Sequence, residues 1–161
     1  MRTLTRVVLG VAITSVSVAT TCGTASAATK VALKGKLRAC DFTVTGTSYA
    51  TAVGAATASA LISTPGSQVV ADITLANPSE PGTHFDVQLI QLPRPASSGC
   101  GPGNPGIAVG TLDTDASGQG HTVVQGNKMQ GATGAWLIVD RPADHSIDPA
   151  EFYTSEFVVP I

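Results

Sequence analysis

Beyond the first 27 residues, recurrence of apolar side chains at every second position dominates the chain, a period that a strand can bury on one face and a helix cannot. Val31, Leu33 and Leu37 point one way while Lys34, Lys36 and Arg38 point the other, giving a strand with a cationic outer face. That face reads as a basic patch for an acidic partner or, as lysines on an exposed strand more often do, as a guard against edge pairing. Phe42 and Val44 continue on the opposite parity, which predicts a bulge or bend near Cys40. Tyr49 to Ile62 is rich in Ala, Thr and Ser with Gly54 inside, and reads as strand or irregular structure.

Val69, Ala71, Ile73 and Leu75 then form one apolar face. Asn77-Pro78-Ser79-Glu80-Pro81-Gly82 follows as a turn, and Phe85, Val87 and Leu89 return as the second arm of a hairpin. Later strands are predicted at Ile107 to Leu112, His121 to Gln125, Ala135 to Val139 and Tyr153 to Val159. The sum is all-β: an antiparallel Greek-key β-sandwich of about eight strands. Trp136 falls on one of these strands and reads as a core or sheet-face anchor.

The first 27 residues read differently. Arg2 and Arg6 precede an apolar run from Val7 to about Ala19, and Ala25-Ser26-Ala27 supplies the small residues that a signal peptidase recognises. The run is shorter than the roughly 20 residues that span a bilayer, so no transmembrane segment is expected. Residues 1–27 are read as a signal peptide and residues 28–161 as one secreted or envelope-associated domain. Cys22, just past the run, is a candidate lipidation site, but Ala19-Thr20-Thr21 departs from a lipobox, which wants a leucine and a small glycine or alanine. The leader carries two of the nine basic residues and none of the eleven acidic ones, leaving seven against eleven and a net charge of −4. That balance argues against nucleic acid as a partner.

Cys40 and Cys100 remain after cleavage, and two cysteines in an exported chain predict one disulfide. Closing a loop of about 60 residues stabilises by roughly 4 kcal/mol in the chain-entropy model. The bridge would fasten the Pro/Gly-rich segment from Pro93 to Pro105 to the N-terminal strand.

Few residues carry chemistry. Asp113-Thr114-Asp115-Ala116-Ser117-Gly118 matches the first half of a calcium loop, yet the position for a bidentate glutamate is Val124, and a polar turn explains the same residues. His84, Asp86 and Gln88 share a strand face, and with the Asp113 to Gly118 turn they make His84, Asp86, Asp113 and Asp115 the candidate metal ligands, although solvated side chains on the outside of a sandwich explain that strand face better. His84, His121 and His145 lack the spacing of a catalytic zinc motif. Neither a G-x-S-x-G elbow nor a phosphate loop nor a dinucleotide fingerprint occurs.

From Val69 to about Asp140 the chain resembles the copper/zinc superoxide dismutase family. The residues concerned are Pro81-Gly82-Thr83-His84, Phe85-Asp86-Val87-Gln88, Gly99-Cys100, Gly110-Thr111-Leu112, Asp115-Ala116-Ser117-Gly118 and Leu137-Ile138-Val139-Asp140. The resemblance implies the fold. It does not imply the activity, because the copper-ligand positions read Asp86, Gln88 and Asp140, and the histidine-rich zinc loop is replaced by a Pro/Gly segment. The family's partner cysteine lies near the C-terminus, where this chain has Cys40 instead. The Ala/Thr/Gly-rich style also resembles small secreted proteins of actinobacteria.

The functional expectation is an exported, non-enzymatic binding module for a protein or cell-envelope component, with no cofactor and no catalytic residue assigned. The alternatives are a metal-dependent or hydrolytic extracellular enzyme built from His84, Asp86, Asp113, Asp115 or His145, and a lipid-anchored surface protein.

Overall fold

The computed structural model describes residues 27–46, 56–146 and 148–161, and no helix occurs among them. Cys22, the leader up to residue 26 and the stretch 47–55 lie outside the described residues. The strands are β1 (Thr29–Lys34), β2 (Leu37–Arg38), β3 (Val44–Gly46), β4 (Thr57–Ser63), β5 (Gln68–Ala76), β6 (His84–Leu92), β7 (Ile107–Asp113), β8 (Gln119–Asn127), β9 (Gly134–Arg141), β10 (Glu151–Ser155) and β11 (Val159–Pro160).

The expected all-β, antiparallel class is what the chain adopts. Strands run in the order β7-β6-β9-β10-β1-β4-β5-β8, with β11 added to β9, while β2 and β3 form a small separate ribbon. One continuous sheet, joined where Leu33 opposes Ser155, curls until its end strands β7 and β8 pack together.

The alternation read from the sequence sets the inside of this nearly closed barrel. Val31, Leu33, Val69, Ala71, Ile73, Leu75, Phe85, Val87 and Leu89 are all buried in one core. Phe85 packs on Tyr153 with ring centroids 6.3 Å apart.

Small residues face large ones where the ends meet. A Cβ on Gly110 would lie 2.7 Å from Val124 Cγ2, one on Gly120 2.3 Å from Leu112 Cδ2, and one on Gly126 2.9 Å from Ala108 Cβ. Interior positions of small barrels commonly alternate in size in this way. The seam therefore closes only because these three positions lack side chains.

Three expectations are corrected. The Val69–Leu75 and Phe85–Leu89 runs are not arms of one hairpin, since β5 pairs with β4 and β8 while β6 pairs with β7 and β9. The connecting loop is drawn across the barrel end instead: Asn77 N donates to Gly118 O, Gly82 N to Asp115 O, and the Thr114 hydroxyl accepts from Thr83 N and donates to Glu80 O. Leu37 leaves the Val31–Leu33 face because the chain bends at Gly35 and begins the separate ribbon. The last predicted strand, Tyr153 to Val159, is broken at residues 156–158, so β10 ends at Ser155 and β11 restarts at Val159.

The bend near Cys40 is present, with Phe42 at φ 75°. Cys40 and Cys100 form a disulfide, their Cα atoms 5.5 Å apart, a normal span. Trp136 lies on the outer side of β9, fully buried beneath Phe42 at a centroid distance of 5.5 Å, and so is a sheet-face anchor.

Gly110→Val and Gly120→Val should each destabilise by about 1–3 kcal/mol through overpacking of the seam. Gly101→Ala, where a Cβ would meet nothing within 4 Å, should be near neutral. Urea unfolding of the three variants checks this.

Candidate functional site

The outer face of β7, β6 and β9 collects most of the chemistry that the sequence offered. Strand parity puts His84, Asp86 and Gln88 outside β6, because Phe85, Val87 and Leu89 point into the core. Register then supplies their neighbours: His84 opposes Asp113, and Asp86 lies between Thr111 of β7 and Asp140 of β9. His84 Nδ1 is 2.6 Å from Asp113 Oδ1, and its Nε2 is 3.6 Å from Asp86 Oδ1. The hydrogen bond to Asp113, reinforced by both carboxylate charges, raises the His84 pKa. All three side chains are half-exposed or more.

Asp140 is the member that sequence reasoning did not single out as a site residue. Burial, with the Asp86 charge directly opposite, pushes its pKa up to about 6. Its Oδ1 is buried without a hydrogen-bond partner. The resemblance had already aligned this position, but nothing in a strand ending Val139-Asp140 reveals that its carboxylate faces another across the ladder.

Two open grooves meet at Asp86. One, of about 240 Å³, runs over Gln88, Val109, Gly110 and Thr111 against Pro102 of the disulfide-bonded loop. The other, of about 230 Å³, holds Asp140, Ser146 and Asp148 between Pro142 and Pro149. The first is mainly apolar in its walls and the second carries carboxylates.

Asp115 does not join this cluster. Its Oδ1 accepts from Ser117 N and Ser117 Oγ, each at 2.7 Å, and from Gln119 N at 2.9 Å, bonds that lower its pKa. Those bonds fix the turn between β7 and β8, so the half calcium motif is a turn that the carboxylate itself stabilises. Gly118 at its end takes φ 77°, and a Cβ there would lie 2.2 Å from Asn77 O. His121 bonds Asp72 at 2.9 Å on the other half of the sheet, and His145 is exposed in the loop after β9. Among the described residues, no three His, Cys, Asp or Glu side chains are placed to hold a metal ion.

A buried polar cluster anchors this region from inside. Glu151 Oε1 accepts from Asn77 Nδ2 at 3.0 Å and from the Tyr153 hydroxyl, while Arg141 reaches Glu80 Oε1 at 3.3 Å and Glu151 Oε2 at 3.6 Å. Burial raises the pKa of both Glu151 and Tyr153. The cluster ties the 77–83 crossover, and so His84, to the ends of β9 and β10. A glutamate just before the last strand carried no sign of facing inward.

No protein-family model, curated protein or solved structure matches this chain.

A raised carboxylate pKa contributes stability at low pH that is lost as pH rises through the folded value. The stability of the wild type relative to Asp140→Asn should therefore fall between about pH 4 and pH 7. Thermal unfolding across that range checks it, and a constant difference would contradict the burial of Asp140 opposite the Asp86 charge.

Proposed function

We propose that this chain is an exported binding protein whose contact surface is the outer face of β7, β6 and β9. Its ligand class is a cationic group on a partly apolar or peptide carrier. The carrying observation is that an apolar-walled groove and a carboxylate-lined one share Asp86. Exposed ion pairs contribute only about 0.2–1 kcal/mol each, so Asp86, Asp140 and Asp148 select the charge while the Val109 and Pro102 side supplies apolar contact. Loops on a rigid sheet are where binding residues commonly sit.

A dismutase-like reading of the fold draws its support from the wrapped antiparallel sheet and from Asp86, Gln88 and Asp140 lying on one face. Their oxygen donors do not suit copper redox chemistry, which relies on imidazole nitrogen. His84 engages carboxylates through both ring nitrogens, which favours recognition over a hydrolytic role. The Cys40–Cys100 disulfide supports an oxidising compartment. No helix among the described residues is long and apolar enough to cross a membrane.

A lysine hexamer titrated calorimetrically into the exported protein is the probe. Binding is expected at pH 7, weaker at pH 5 where Asp140 is protonated, and weaker at high salt. An Asp86→Asn/Asp140→Asn double variant should lose most of it, and Asp72→Asn on the other half of the sheet should not. Equal binding by the double variant and the wild type would overturn the assignment.

A further inference from the structure

We infer that the Cys40–Cys100 disulfide is a redox latch that holds a detachable cover over an aromatic and apolar patch centred on Trp136. This does not depend on the ligand proposed above.

The patch lies outside the barrel. Ile90 on β6 and Trp136 on β9 oppose each other, both fully buried, and neither belongs to the main core. The chain itself buries them. Residues 36–44 cross the outer side of β10 and β9: the Thr154 hydroxyl donates to Lys36 O at 2.7 Å, Arg38 Nη2 to Glu156 O at 3.5 Å, and Phe42 sits edge-on to Trp136. The loop 93–106 folds back along β6 far enough for Pro102 to wall the groove over Gln88 and Asp86.

Three features separate this cover from the fold beneath it. First, among the described residues neither 35–46 nor 91–106 contributes to the main core, so lifting the cover leaves the barrel interior intact. Second, among the described residues the hydrogen bonds of each segment run within that segment or to the barrel. The disulfide is the covalent link between the two segments.

Third, the closed cover carries local costs. Phe42 is the non-glycine residue held at positive φ among the described residues, an outlier for so bulky a side chain. Arg38 lies over the Phe42 ring at 3.8 Å, and its Nη1 bonds Phe42 O at 3.0 Å, clamping that conformation. The buried Trp136 Nε1 and Arg38 Nε have no hydrogen-bond partner. An unpaired buried donor recovers its hydration once water reaches it. Opening therefore gives both donors access to water, and the crosslink opposes that release.

The opening step is thiol–disulfide exchange with a dithiol. Two thiolate attacks through a mixed disulfide transfer two electrons to the Cys40–Cys100 bond, leaving two protein thiols and one oxidised dithiol. Both cysteines are partly exposed, so a dithiol can reach them.

Trp136 is the single tryptophan of the chain and reports the cover directly. The exported protein is treated with dithiothreitol, free thiols are counted by mass, and tryptophan emission, iodide quenching and far-ultraviolet circular dichroism are followed together. Reduction should shift the emission to the red and raise quenching severalfold, while the β-sheet signal and a cooperative thermal transition persist. Reoxidation should reverse both changes, and a Cys40→Ser/Cys100→Ser variant should show the reduced spectrum without reductant. Unchanged emission in fully reduced protein would overturn the inference. So would loss of the β-sheet signal together with tryptophan exposure, which would make the bridge a staple of the whole fold.

Discussion

Closure of the sheet along β7 and β8 is the constraint on which the other features rest. A sheet curls only as far as the inward residues of its end strands permit, and here Gly110, Gly120 and Gly126 receive Val124, Leu112 and Ala108. Larger residues at those positions would hold the ends apart and open the core to water. Closure also fixes which strands are neighbours. With β8 beside β5 and β7 beside β6, the 77–83 loop must cross the barrel end, and that crossing carries Glu80 to Arg141 and sets His84 opposite Asp113.

The outward surface divides accordingly. On β1, β4, β5 and β8, Lys30, Leu61, Asp72 and Val123 lie in one cross-strand row of alternating character. On β7, β6 and β9, carboxylates gather at one end and an apolar cover lies at the other. Like charges directly opposite in a ladder are unfavourable, and Asp86 facing Asp140 is such a pair. Burial first, and the opposed Asp86 charge after it, raise the Asp140 pKa. A cation between the two carboxylates would relieve their repulsion.

Much of the fold was legible because alternation is a local signal. The inward sets of β1, β5 and β6 were readable from their own residues, and the Cys40–Cys100 pairing followed from a count of two. Strand partners were not legible, because the Asn77–Gly82 segment has the composition of a hairpin turn and crosses the barrel only through bonds to the distant Thr114, Asp115 and Gly118. Of the candidate ligands, His84, Asp86 and Asp113 come together since register aligns β6 with β7, and Asp115 departs because its carboxylate caps its own turn. Asp140 and the Glu151 cluster stayed hidden, since their properties arise from burial and from partners 54 and 74 residues away in the chain.

Two exposed hydrophobic residues of similar accessibility allow the two halves of the surface to be compared on living cells. Val109 is 49 % exposed in the groove beside Asp86, and Leu61 is 44 % exposed on the opposite half. A photocrosslinking amino acid at each position, activated in protein exported by its own host, reads out which face meets a partner. A discrete adduct from position 109 and none from position 61 is the expected result. Equal adducts from both positions, or one from position 61 alone, would contradict a binding role for the β7–β6–β9 face.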